Sequence, residues 1–383
     1  MRFLVAPDSF KGSLTAAEAA RVMARGLRTV FPDAEILELP VADGGEGTVD
    51  ALLAATGGTS RCTRVRGPLG DPVEAVWGVL GDGRTAVIEA AAASGLGLVP
   101  EGCRDPRRAS TFGTGELVKA ALDAGFRRIL LGLGGSGTND GGAGFARALG
   151  ARLLDAEGRD LPEGGAALAR LARVDASGLD PRLRATELLV ASDVDSPLCG
   201  PRGATAVFGP QKGLAPEGVK ELDAALSNLA RIVSRDTGRE VADLPGAGAA
   251  GGLGAGLLWF TRAQLRPGVE LLLEASAFEA RLRGVDLVFT GEGRTDVQTA
   301  LGKAPLGVAA AARRHGIPVV CLSGSLGEGA ENLLTLGVGA LASVPPGPLD
   351  LATCMANAAP LLESAARRAA RLVSIGMRLG ARS

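Results

Sequence analysis

Residues 2–30, RFLVAPDSFKGSLTAAEAARVMARGLRTV, decide the architecture. RFLVAP is an unbroken apolar run of strand length, the pattern of a strand covered on both faces. After the polar break at Asp8, Thr15 and Glu18 stand at capping-box spacing, and Ala19, Val22, Met23, Leu27 and Val30 then form one apolar helix face. Glu35 to Val41 reads as the next strand, followed by ADGGEGT (residues 42–48) and a helix from about Thr48 to Ala55. Two βα units cannot cover both faces of a parallel sheet alone. The last third supplies the missing strands at Val285–Thr290, Pro318–Leu322 and Ala340–Ser343, and closes with a helix over Met355–Met377. The fold class is therefore α/β with two α/β domains. A Rossmann-like, doubly wound parallel-sheet domain is built from both chain ends, residues 1–60 plus 285–383. Residues 61–284 form an inserted second α/β domain with a mixed sheet. A linear two-domain division is the alternative.

Between the ends the texture changes. TRVRGPLG, DPVEAVWGVLGDG and RTAVIEAA are short, turn-punctuated and partly alternating, as hairpins of a mixed sheet are. The βα rhythm returns with a helix from Glu116 to about Ala124, a strand at Arg128–Leu133, a helix near Gly142–Leu149 and a strand at Ala151–Leu154. Glu187–Ser192 reads as a further strand and Val219–Ser234 as a helix. GAGAAGGLGAGLLWF then reads as a glycine-rich loop and a closely packed helix.

The 41 basic and 42 acidic residues balance, no long basic block occurs, and only 3% of residues are aromatic. A nucleic-acid or anionic-membrane partner is excluded on those grounds. The five cysteines have neither CxxC spacing nor more than one histidine to join them, and read as reduced, mostly buried small hydrophobes. No stretch of 18 apolar residues occurs, and the apolar run at the N-terminus is too short for a signal segment, so the expected location is the cytoplasm. His315 lies at the end of a helical stretch before Gly316, which makes it a helix-end histidine rather than an acid–base group.

Only five basic residues are lysines, and three of them, Lys11, Lys212 and Lys303, lie in the glycine-rich segments DSFKGS, FGPQKG and ALGKAP. Lysine beside flexible backbone, hydroxyls and carboxylates is what a polyphosphate and Mg²⁺ need together. Asp8 and Ser9 precede Lys11 and stand as substrate ligands; Asp43 joins them by orienting a substrate hydroxyl, or else ligates a metal, with Glu46 as its alternate. GEGRTDVQT, residues 291–299, reads as a glycine turn crowding Glu292, Arg294 and Asp296 after an apolar strand. SDVDSPLCG brings Asp193 and Asp195 two positions apart, a pair suited to Mg²⁺; an Asx-turn ending a strand is the other reading. LGLGGSGTNDGG carries G-x-G-x-x-G at Gly132, Gly134 and Gly137, with Asp155 some twenty residues on, and so imitates a dinucleotide fingerprint. Asn139 and Asp140 sit where a pyrophosphate would approach, which favours a kinase-like site with a bridging cation over NAD. Gly134, Gly135, Ser136, Asn139, Asp140 and Lys212 are accordingly the nucleotide candidates. G-x-x-x-x-G-K-[ST] is not met at Lys303, so the framework is not a P-loop.

Taken together, APDSFKGSLTAAEAA, PVADGGEGT, GTGELVKAAL, GGSGTNDGGAG, DVDSPLCGPRGA, FGPQKG, PGAGAAGGLGAG and GEGRTDVQTALGKAP resemble the signature segments of the glycerate kinase family that is unrelated to P-loop kinases. The likeness runs through nearly the whole chain. Gly137, where the family often has alanine, and Ser192, where cysteine is common, are minor departures. The resemblance implies ATP-dependent phosphorylation of D-glycerate, in this branch most often at the 2-hydroxyl, with the site between two α/β domains. On this scheme Arg294 takes the substrate carboxylate. Asp296 or Asp193 accepts the hydroxyl proton, the other acid joins Asp195 in holding Mg²⁺, and Lys11 and Lys303 stabilise the transferring phosphoryl. An NAD-dependent dehydrogenase of a small hydroxy acid and a non-catalytic sugar-acid sensor are the alternatives. Glycerate and nucleotide are the expected partners, and the oligomer is left open, a homodimer included.

Overall fold

A computed structural model describes residues 1–380. The chain divides into two compact units. Met1–Asp43, Asp50–Gly57 and the chain from Pro267 onward form the terminal unit; Gly44–Val49 and Gly58–Arg266 form the inserted one. Thirteen strands run through the described residues. In the terminal unit these are β1 (Arg2–Pro7), β2 (Glu35–Glu38), β11 (Leu287–Thr295), β12 (Val319–Leu326) and β13 (Ala340–Ser343). The inserted unit holds β3 (Thr59–Arg66), β4 (Pro72–Val79), β5 (Thr85–Glu89), β6 (Arg128–Gly132), β7 (Arg152–Leu154), β8 (Arg173–Asp175), β9 (Glu187–Ala191) and β10 (Gln264–Arg266).

The terminal sheet is wholly parallel in the order β13-β12-β11-β1-β2. From β1 the chain steps outward to β2 on one side and returns as β11 on the other. The strand order therefore reverses between β1 and β11, and sheets of this kind bind ligands at the carboxyl ends of such a pair. The helix Ala16–Arg28 starts at the capping box read from the sequence, with Thr15 Oγ1 accepting from the Glu18 N–H at 3.2 Å and Glu18 Oε2 from the Thr15 N–H at 2.9 Å. Its Ala19, Val22, Met23 and Leu27 join Phe3, Val5 and Phe289 of the sheet and Leu362, Ala366 and Ala370 of the helix Ala358–Gly380 in one core. Residues 267–284, placed in the insert by the sequence reading, cluster with the terminal unit instead. Val269, Phe278 and Leu282 bury their side chains against Val308, Ala312 and Val288 there, a packing partner that local pattern does not name.

The inserted sheet is mixed, in the order β10-β9-β6-β5-β4-β3. β3, β4 and β5 pair antiparallel as the turn-rich texture suggests, and β5, β6, β9 and β10 pair parallel. β7 and β8 make a separate antiparallel pair. The glycine-rich helix Ala249–Phe260 is broken at Ala250–Gly252 by left-handed backbone. Gly251, at φ +67°, is needed there twice over, since a Cβ would come within 1.9 Å of the Thr138 carbonyl oxygen. The second G-x-G-x-x-G is thus a packing device beside the first.

One expectation fails outright. GEGRTD is not a turn: β11 continues through Gly291 to Thr295, pairing Glu292 with Ser323 and Arg294 with Ser325 of β12. Gly291 is there for closeness, a Cβ falling 2.1 Å from the Leu322 carbonyl oxygen. The cysteines are also less buried than expected. Only Cys321 is buried, while Cys62, on the edge strand β3, and Cys103 are exposed. His315 does end the helix Ala304–Arg314, with Gly316 following at φ +68°. Among the described residues no helix is long and apolar enough to cross a membrane.

Candidate active site

In the terminal unit the candidate residues gather at the carboxyl ends of β11, β1 and β2. Pro7 pairs with Gly291, so Asp8 leaves β1 beside Glu292, which β11 still carries in register with Ser323 of β12, and Asp43 follows β2 on the other flank of β1. Asp8 is only 7% exposed. Its backbone N–H donates to the Gly291 carbonyl at 2.8 Å, and its Oδ1 accepts from the Ser9 N–H at 2.6 Å. Burial, then the charges of Asp43 and Glu292, push its carboxyl up to about 7, against the Ser9 N–H and the Lys11 ammonium. Lys11 stands exposed on the tight turn closed by Phe10 and Leu14.

Glu292 is buried and doubly held. Its Oε1 accepts from Thr299 Oγ1 at 2.6 Å and from Thr295 Oγ1 at 3.0 Å. With its proton on Glu292, the Thr295 hydroxyl accepts from Ser323 Oγ at 2.7 Å. Burial raises the Glu292 carboxyl, with the two threonines and Lys303 opposing. Lys303 is the residue just before the helix Ala304–Arg314, half-buried, and its charge acts on both Glu292 and Asp296. Asp296 is one of the two carboxylates expected to accept a proton. Its Oδ1 accepts from the Gln298 N–H at 2.9 Å and its Oδ2 from Arg294 Nε at 3.0 Å, and the first of these with Lys303 and Arg294 holds it below the usual carboxylate range.

In the inserted unit, Gly132 of β6 pairs with Ala191 of β9, so the loop Leu133–Asn139 and the loop carrying Asp193 and Asp195 leave adjacent parallel strands at one edge. Gly134, Gly135 and Ser136 are the members that reach the surface. The other three nucleotide candidates, Asn139, Asp140 and Lys212, are buried beneath that loop. Asp140 is fully buried, its carboxylate accepting from the Thr111 hydroxyl and the N–H groups of Thr111, Gly142 and Gly144. Asn139 Nδ2 donates to Thr205 Oγ1 at 2.8 Å. Lys212, 2% exposed, donates to Ser136 Oγ at 2.9 Å and to the Thr138 carbonyl at 2.8 Å; burial pushes its ammonium down to about 7, with the Asp140 charge opposing. These three brace the loop that presents Gly135 and Ser136. Next to them Thr138 Oγ1 and Asn139 Oδ1 are buried without a partner. Asp193 and Asp195 are both exposed, and among the described residues no three His, Cys, Asp or Glu side chains converge as a metal cage.

Sequence reasoning missed Thr295, Thr299, Ser323 and Thr111. Thr295 and Thr299 stand in GEGRTDVQT at a spacing of four, a readable hint once that segment is known to leave a strand. Ser323 and Thr111 come from distant chain and leave no local signal.

The model of the Glycerate kinase family matches residues 3–374. A glycerate kinase of Bacillus subtilis is 51% identical over 375 residues, covering 98% of both chains. A glycerate 2-kinase of Escherichia coli K12 is 47% identical over 378 residues, covering 99% of each. The crystal structure of a Salmonella typhimurium LT2 protein assigned as glycerate kinase 2 superposes with a TM-score of 0.89 at 49% identity, covering 99% of both chains. With two α/β units assembled as described and a family match running almost end to end, this chain belongs to the glycerate kinase family.

Proposed function

We propose that this protein phosphorylates D-glycerate with ATP, forming the ester at the 2-hydroxyl to give 2-phospho-D-glycerate and ADP. The observation that carries the activity is the family match over residues 3–374. The 2-position rests on the 2-kinase relative, 47% identical over 99% of both chains. The new O–P bond forms as the bond from the γ-phosphorus to the β-bridging oxygen breaks, and the hydroxyl proton passes to a carboxylate of the protein.

The residues fit a nucleotide and a cation. Ser136, fixed by the buried Lys212, and the exposed backbone of Gly135 offer donors to phosphate oxygens. Asp193 and Asp195, exposed after β9, would hold Mg²⁺ through hard carboxylate oxygens. When bound, Mg²⁺ neutralises charge on the phosphate chain. From the terminal unit, Arg294 offers its guanidinium to the substrate carboxylate, and Ser9 and Asp43 orient its hydroxyls. Glu292, held by Thr295 and Thr299, fixes the carboxyl end of β11. Lys11 and Lys303 meet the charge on the transferring phosphoryl.

Incubation of the purified protein with D-glycerate and Mg-ATP, followed by carbon-coupled phosphorus NMR, is expected to show 2-phosphoglycerate and stoichiometric ADP. A 3-phosphoglycerate signal would overturn the position, and ligand binding without ADP release would overturn the activity.

A further inference from the structure

Resting on the kinase reading, we infer that Asp8 is the group that takes the proton from the attacking hydroxyl of glycerate. Three observations of placement carry this. Asp8 stands at the carboxyl end of β1, beside Glu292 of β11, where the strand order reverses and a parallel sheet opens its ligand crevice. Its carboxylate is fixed by one short bond from its own neighbour, Ser9 N–H at 2.6 Å to Oδ1, and among the described contacts no side chain donates to it. Asp296, by contrast, has each oxygen engaged, one by the Gln298 N–H and one by Arg294. Glu292 has Oε1 taken by two hydroxyls.

The charged groups around Asp8 come from each neighbouring segment: Asp43 after β2, Glu292 from β11 and Lys11 from the turn after β1. The carboxylates and burial together hold its affinity for a proton near neutrality, where a general base works best. Lys11 opposes them, keeping the charged form accessible. As the hydroxyl oxygen bonds to the γ-phosphorus its proton moves to the Asp8 carboxylate, and ADP leaves with the electron pair of the broken bond. After product release Asp8 loses the proton to solvent.

The test is the pH dependence of kcat/KM for glycerate, with kcat measured alongside, at fixed Mg-ATP in wild type, Asp8→Asn and Asp296→Asn. Wild-type kcat/KM is expected to rise with pH and level off above an inflection near 7. Asp8→Asn is expected to lose about 10²–10⁴-fold in kcat, with a far smaller change in KM, and its residual rate should lack that inflection. Asp296→Asn should slow turnover and keep the inflection. A melting temperature for Asp8→Asn at or above that of wild type at pH 8 verifies that the variant is folded. An inflection retained by Asp8→Asn, or a defect confined to KM, would overturn the assignment while leaving the kinase reading intact. Failure of the wild type to form phosphoglycerate would overturn the reading and the assignment together.

Discussion

Asp8 holds a carboxyl in the company of two others, and that arrangement costs stability. Its folded affinity for protons exceeds its unfolded one, about 7 against the ordinary 3.8, so the native state binds the extra proton between those values. Stability therefore falls as pH climbs from about 4 to about 7, and the whole penalty is present above that window. That difference corresponds to roughly 4 kcal/mol as an upper figure. Denaturant titrations of Asp8→Asn should show a gain of ~2–4 kcal/mol over wild type at pH 8 that shrinks towards nothing at pH 4. A gain equal at both pH values would show that the substitution acts through packing and not through charge.

Glu292 is the opposite case at the same scale, a buried acid satisfied by hydroxyls. Thr299→Val removes the 2.6 Å donor while keeping the shape, leaving Oε1 of the buried carboxylate with the Thr295 hydroxyl alone. The expected cost is about 1–3 kcal/mol, as for a hydrogen bond to a charged group, with a further rise in the Glu292 proton affinity. Urea unfolding at pH 7 measures the first, and an unchanged midpoint would argue that Thr299 is not the residue holding this acid.

At the scale of elements, the inserted unit's glycine loop is a braced structure. Lys212 joins Ser136 to the Thr138 carbonyl, Asp140 gathers the start of the next helix, and Gly251 lets the broken helix Ala249–Phe260 lie against Thr138. Gly251→Ala combines a left-handed φ with a 1.9 Å approach to backbone, so it should cost more than about 2 kcal/mol and weaken nucleotide binding. Isothermal titration with ATP alongside thermal melting checks both; normal affinity in a folded variant would show that the loop is held without that contact.

These elements also mark where sequence reading succeeds and stops. The buried run RFLVAP and the Thr15–Glu18 box were legible because both are local, one a matter of hydrophobic length and the other of a spacing of three. GEGRTD was misread because glycine and charge spell a turn to any local rule, whereas the pairing of Glu292 with Ser323 is made by a strand thirty residues on. Lys212 and Asp140 stand out by residue type and loop composition, but their hydrogen-bond partners are not legible in the sequence. Residue type and loop composition suggest a charge meant for phosphate, but the direction of a side chain depends on what packs around it. Here that is Thr111, Gly144 and Thr138, none of which advertises itself.

For the whole molecule, the two units have separate cores. Leu4, Ala6, Val288, Val319 and Ala312 fill one side of the terminal sheet and Phe3, Val5, Met23 and Leu362 the other. Ile88, Leu131, Val190 and Phe145 in one cluster, and Leu229, Val233 and Trp259 in another, fill the inserted unit. Units with their own cores melt as separate cooperative transitions when their junction is weaker than either interior. Lys212→Met keeps the stem of a buried lysine and deletes its two hydrogen bonds, leaving Ser136 and the Thr138 carbonyl to find others. Its effect on stability belongs to the inserted unit, and that of Asp8→Asn to the terminal one. Differential scanning calorimetry at pH 8 is therefore expected to resolve two transitions in wild type, with Asp8→Asn raising one and Lys212→Met shifting only the other. Movement of both transitions by either substitution would show that the units unfold as one, and the residue-scale gain argued for Asp8 would then have to be shared by the entire chain.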